Sequence, residues 1–192
     1  MLFGKIGQLN DKKFSRIARV LAVLLMLAVT VAPAGAANMR SFIEAVRRKA
    51  AVVYVGSVKE VRLLERTKFD IKARAVVAIS AVARGPGAGP AEATVDYSSY
   101  DDQTPMLAGG PQYQLRPGEM VVIFADSFRS NVPPGYLMHG SREEMLERVT
   151  ALRDSLKKMS ADELKRNEIG EADRHVQLAL YEKLRGQLGS HS

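Results

Sequence analysis

The apolar residues of this chain change their period once, at Ser141, and that change limits the fold more than any other feature. From about Ala37 to Gly140 the sequence is rich in Val, Ala, Gly, Pro and Tyr, and short apolar runs alternate with Gly/Pro turns. From Ser141 onward Glu, Lys, Arg, Leu and Met dominate, and apolar residues return every three or four positions. Strands gathered first and helices afterwards predict a mainly β chain with C-terminal helices, an α+β arrangement.

The strands can be placed by eye. "AVVYVGSVKEVRLL" (Ala51 to Leu64) starts apolar on both faces, and Gly56 in its middle marks a bulge or bend. "FDIKARAVVAISAVARG" (Phe69 to Gly85) is a long second strand ending in "RGPGAGP", a turn whose prolines lack the amides a phosphate loop needs. "AEATVDY" (Ala91 to Tyr97), Met120 to Ala125 and a short run within "PPGYLMHG" complete five. Five strands, an early glycine bend and Gly/Pro turns predict a small OB-like Greek-key barrel followed by a helical extension. An open antiparallel sheet covered by the helices is the alternative that periodicity leaves standing.

Local signals place the helices. Ser41 and Glu44 form a capping-box pattern before a short helix to Ala50. The same pattern recurs at Ser141 and Glu144, before Met145, Leu146, Val149, Leu152 and Leu156, and again at Ser160 and Glu163. Gly170 separates a last helix, in which Leu178, Leu180, Tyr181, Leu184 and Leu188 form a stripe that must cover the sheet, a partner or a second copy.

The N-terminus reads as a secretory signal. Lys5, Lys12, Lys13, Arg16 and Arg19 precede the apolar run Val20 to Val31, and Ala34-Gly35-Ala36 supplies small residues for cleavage after Ala36. The run falls short of the roughly 18–20 residues needed to cross a bilayer. This predicts three regions: residues 1–36 as a cleaved signal, 37–140 as the β domain and 141–192 as the helical extension. Retention of residues 1–36 as an anchor is the other possibility. The whole chain carries 28 basic and 21 acidic residues, a net charge of +7. Five of those basic residues and one acidic residue precede Ala37, so the remainder has a net charge of +3. Basicity therefore gives little reason to expect nucleic-acid binding. With no cysteine, thiol catalysis, thiolate metal sites and a lipoprotein anchor are excluded.

The runs "AVVYVGSVKEVR", "AISAVARGP" and "LRPGEMVVIFA" are similar to the netrin-module or tissue-inhibitor-of-metalloproteinase-like OB domain of exported bacterial proteins. The resemblance covers about residues 41–125 and implies an OB fold with a binding or accessory role. In the inhibitors an N-terminal cysteine meets the target's zinc. Here no cysteine exists and the expected mature start is Ala37-Asn38-Met39, so no functional residue transfers.

The densest polar cluster is "VDYSSYDDQTP" (Val95 to Pro105). Asp96, Asp101 and Asp102 offer hard oxygens, but lack the spacing of a calcium loop, so no metal or cofactor is expected. Tyr97, Tyr100 and Tyr113 are rigid amphipathic platforms suited to a peptide or a sugar. The bland alternative, which the pattern favours, is a strand end running into a turn, with Ser and Asp bonded to their own backbone and Tyr97 packed on the barrel. With Asp101 and Asp102, and with Leu180, Tyr181 and Leu184 of the last helix, the three tyrosines form the candidate contact surface. His139, His175 and His191 lie in no nucleophile or metal motif, so no catalytic residue is assigned. The sequence thus predicts an exported, periplasmic or secreted, non-enzymatic protein. It would bind an envelope partner or itself, with no membrane span once the signal is removed. A sugar-binding module, or a hydrolase using the loop aspartates and His139, is the alternative.

Overall fold

The computed structural model describes residues 34–68, 70–101, 112–129 and 137–190. The basic N-terminal stretch, the apolar run Val20 to Val31, Asp102 and His191 lie outside these residues. The chain divides into two units, Met1–Arg40 and Ser41–Ser192. The elements are α1 (Ala34–Lys49), β1 (Val52–Arg66), β2 (Ile71–Arg84), β3 (Glu92–Ser99), β4 (Met120–Ala125), β5 (Leu137–Gly140), α2 (Arg142–Lys158), α3 (Ala161–Arg166) and α4 (Glu171–Gly189). The first helix is longer than expected. Alanine-rich "AGAA" favours helix, so Ser41 is an interior residue and not a cap.

The five strands form one antiparallel sheet in the order β3-β2-β1-β4-β5. The fold is α+β, mainly β with C-terminal helices, but the expected barrel does not close. Among the described residues no ladder joins the edge strands β3 and β5. One physical reason is length, since β5 offers four residues against the eight of β3. The observed arrangement is the open sheet covered by helices.

Around the first half of β1 and along β4, both faces of the sheet are nevertheless buried. On the outer face, Val53, Val55, Val122, Phe124 and Met138 pack beneath Met145, Val149 and Leu156 of α2 and Leu180, Tyr181, Leu184 and Leu188 of α4. The helical extension therefore seals the sheet's own core within the unit Ser41–Ser192. The inner face curls around Tyr54, Tyr97 and Tyr113, with Ala73, Ala75 and Ala93 supplying the small positions that make room for these rings. Gly56 lies at a register shift in β1, as its position in the run suggested. A Cβ there would overlap the Ala78 carbonyl oxygen and come within 2.6 Å of Val77 Cγ1.

The helix starts follow their capping signals. Ser141 Oγ accepts from the Glu144 amide at 3.2 Å, and Glu144 Oε2 accepts from the Ser141 amide at 2.8 Å. Ser160 and Glu163 repeat the box before α3. Ser141→Ala should cost about 1 kcal/mol by removing one acceptor from the first turn of α2, measured as a shift in the urea midpoint at constant slope.

Candidate functional site: an open seam in the sheet

Residues expected on the surface divide sharply. Tyr97 and Tyr113 are 4% and 7% exposed and belong to the inner core. Leu180, Tyr181 and Leu184 are equally buried, facing the outer side of the sheet. These five are packing residues of this chain. Strand parity explains Tyr97, which follows Ala93 and Val95 onto the inner face of β3. Tyr100 is half-buried, and Asp101 pairs with Arg66. Asp96 pairs with Arg74 through Nε–Oδ1 at 2.6 Å and Nη2–Oδ2 at 2.8 Å. The Arg74 hydrogen bonds hold the Asp96 carboxyl below its usual range. Asp96 and Asp101 are thus each engaged by a different arginine, and among the described residues no group of three His, Asp or Glu side chains could hold a metal ion.

Failure to close leaves a seam beside β3. Ile79 N–H donates to Ala91 O at 2.9 Å, which fixes the parity of the β2–β3 ladder. Odd-numbered residues of β3 bond to β2, so the N–H and C=O groups of Glu92, Thr94, Asp96 and Ser98 face away from it. Ser98 O accepts from Tyr113 N–H at 3.0 Å. Among the described residues, the outward backbone groups of Glu92, Thr94 and Asp96 have no partner. A groove of about 460 Å³ is lined by Glu92, Thr94 and Asp96 of this strand together with Arg74, Phe128 and Arg129.

Each end of the seam is built from identifiable contacts. At one end the Tyr113 ring stands edge-on to both Tyr97 of β3 and His139 of β5, with centroids 6.4 and 6.1 Å away. One side chain thus bridges the two edge strands. At the other end Phe128 lies 5.6 Å from the Tyr54 ring. The "RGPGAGP" turn abuts Phe128 at Gly89, whose φ is +74° and where a Cβ would stand 2.8 Å from Phe128 Cζ. Arg129 is exposed, and among the described residues its guanidinium has no ion pair or hydrogen bond.

His139 Nδ1 lies 3.1 Å from Glu119 Oε2, an oxygen that also accepts from the Arg116 amide at 3.0 Å. The histidine is thereby tied to the turn before β4. His175 lies on α4, 2.8 Å from the Glu171 carbonyl one turn earlier. Sequence reasoning missed Thr94, Phe128 and Arg129. The alternation of Glu92, Thr94 and Asp96 with Ala93 and Val95 was a legible signal for the polar side of β3. Nothing local marked β3 as an edge.

Burial pushes the Tyr97 phenol up to about 12, and its hydroxyl, close to the Leu115 backbone, finds no hydrogen bond of ordinary geometry. Burial also raises Tyr54 and Tyr181. A phenol with a raised folded pKa favours the fold below the unfolded value near 10, and that contribution is lost as pH rises toward 12. Tyr97→Phe should therefore hold stability unchanged or raise it by up to about 1 kcal/mol at neutral pH. It should also flatten the decline above pH 10, as followed by urea unfolding at a series of pH values.

No helix among the described residues is long and apolar enough to cross a membrane. Compared with protein-family models, curated proteins and solved structures, the chain matches none.

Proposed function

We propose that the protein is a non-enzymatic binding or accessory protein, exported to the cell envelope, that acts through protein–protein contacts. The observation that carries this reading is the free edge of β3 beside a groove. An unpaired strand edge is a template for another chain, and natural sheets leave one open where it is used or otherwise protect it. The export part rests on the signal-like N-terminal sequence. The resemblance to netrin-module domains favours an accessory role by analogy.

Among the described residues, less supports the competing readings. A sugar platform of Tyr97, Tyr100 and Tyr113 retains one half-buried ring outside the core. A hydrolase built on the aspartates and His139 finds Asp96 and Asp101 in arginine pairs and His139 beside Glu119. A photoreactive side chain at Thr94, with a control at exposed Lys183 on α4, tests the binding reading in intact cells. A discrete adduct from Thr94 and none from Lys183 is expected, on a protein whose mass begins at Ala37. Adducts from neither position, or equally from both, would sink the reading.

A further inference from the structure

We infer that the seam accepts a short, extended, acidic segment of another protein as an added strand on β3, with a carboxylate held by Arg129. This deepens the binding reading above and rests on it.

The backbone sets the shape of the occupant. Outward N–H and C=O groups at Glu92, Thr94 and Asp96 repeat at about 7 Å along roughly 13 Å of strand. A β-strand presents groups at that spacing, whereas a helix has already spent its own. Phe128 and Arg129 line the same groove of about 460 Å³ as this edge. Phe128 is fixed between Tyr54 and the turn at Gly89, and that part of the lining is preformed.

Charge sets the chemistry of the occupant. The two carboxylates in the groove are already matched, Glu92 by Lys59 at 2.5 Å and Asp96 by Arg74. Arg129 is the cation in the groove without a partner among the described residues. An acidic residue gains a pairing there, while a basic one would meet Arg74 and Arg129. The same charges argue against a second copy. Antiparallel pairing of β3 with itself about Thr94 would set Glu92 opposite Asp96, like charges across a strand pair.

The probe is a fluorescein-labelled hexapeptide of alternating valine and glutamate, titrated by anisotropy against the full chain. Controls replace glutamate by glutamine or N-methylate the valines. Binding of the acidic peptide, with slowed amide exchange at Glu92, Thr94 and Asp96, is expected, as is its loss on N-methylation. Thr94→Pro blocks the edge without removing a β2–β3 hydrogen bond, because the Thr94 amide points outward, and should weaken binding more than about tenfold. Arg129→Gln should remove the preference for glutamate over glutamine, about three- to fivefold, while leaving the glutamine peptide unchanged. No binding to the wild type, or equal binding to Thr94→Pro, overturns the inference. If Thr94 still forms its cellular adduct in that case, the broader binding reading survives alone. Concentration-dependent dimers that Thr94→Pro abolishes would assign the edge to a second copy and also overturn it.

Discussion

A chain ending at Met159 is expected to lose its cooperative unfolding transition. That truncation removes Leu164, Ile169, Leu180, Tyr181, Leu184 and Leu188, all buried residues of the outer core. It takes away the helix that lies against β1 and β2, so Val53 and Val55 lose cover, while α2 still lies against β4. Fully burying a side chain of this size contributes about 1.5–3 kcal/mol, so losing several exceeds the stability of an ordinary domain. The single substitution Leu184→Ala isolates the effect in an otherwise complete chain. Leu184 is 0% exposed, and its loss should cost about 3–4 kcal/mol, lowering the melting temperature by about 10 °C. Calorimetry of both proteins decides the matter. A truncated chain that melts like the wild type would return the α4 stripe to the role of a free partner surface.

Gly56→Ala should be nearly as damaging, for the opposite reason. The added methyl would overlap the Ala78 carbonyl and crowd Val77, both on the adjacent strand, so neither a rotamer change nor a side-chain swing relieves it. A cost of about 3 kcal/mol is expected, at the upper end for overpacking because backbone is involved. Gly186→Ala provides the control, since nothing lies within 4 Å of its Cβ position in α4. That change should stabilise by about 0.5–1 kcal/mol through helix propensity. Denaturant midpoints of the two variants moving in the same direction would contradict the packing account at Gly56.

Much of the fold was legible because it is local. The capping boxes at Ser141 and Ser160 lie within four residues of the helices they start, and both occur where the sequence places them. The strand of doubly apolar character beginning at Ala51 became the central strand, and Gly56 marked its irregularity. Closure was not legible. It depends on whether β3 meets β5, a pairing that turn chemistry does not determine. The stripe on α4 was visible as a face, but helical period alone does not name what covers a face. The tyrosines misled because a phenol suits both a wet surface and a dry core. Parity with Ala93 and Val95 already placed Tyr97 inside. The candidate groove unites β3 with Phe128 and Arg129 from a distant turn, and no sequence window contains both.

The position of α4 along the chain also governs timing. All five strands leave the ribosome before the helix that shields the sheet's outer face has been synthesised. At roughly 5–20 residues per second, a few seconds separate the last strand from the end of α4. Throughout that interval a nascent chain holds Val53, Val55, Val122 and Phe124 without their full cover, a state suited to a holdase chaperone and sensitive to protease. If the chain is exported as proposed, such a delay helps keep it unfolded until it has passed a translocation pore. Here the delay follows from placing the second helical lid of the outer core after every strand.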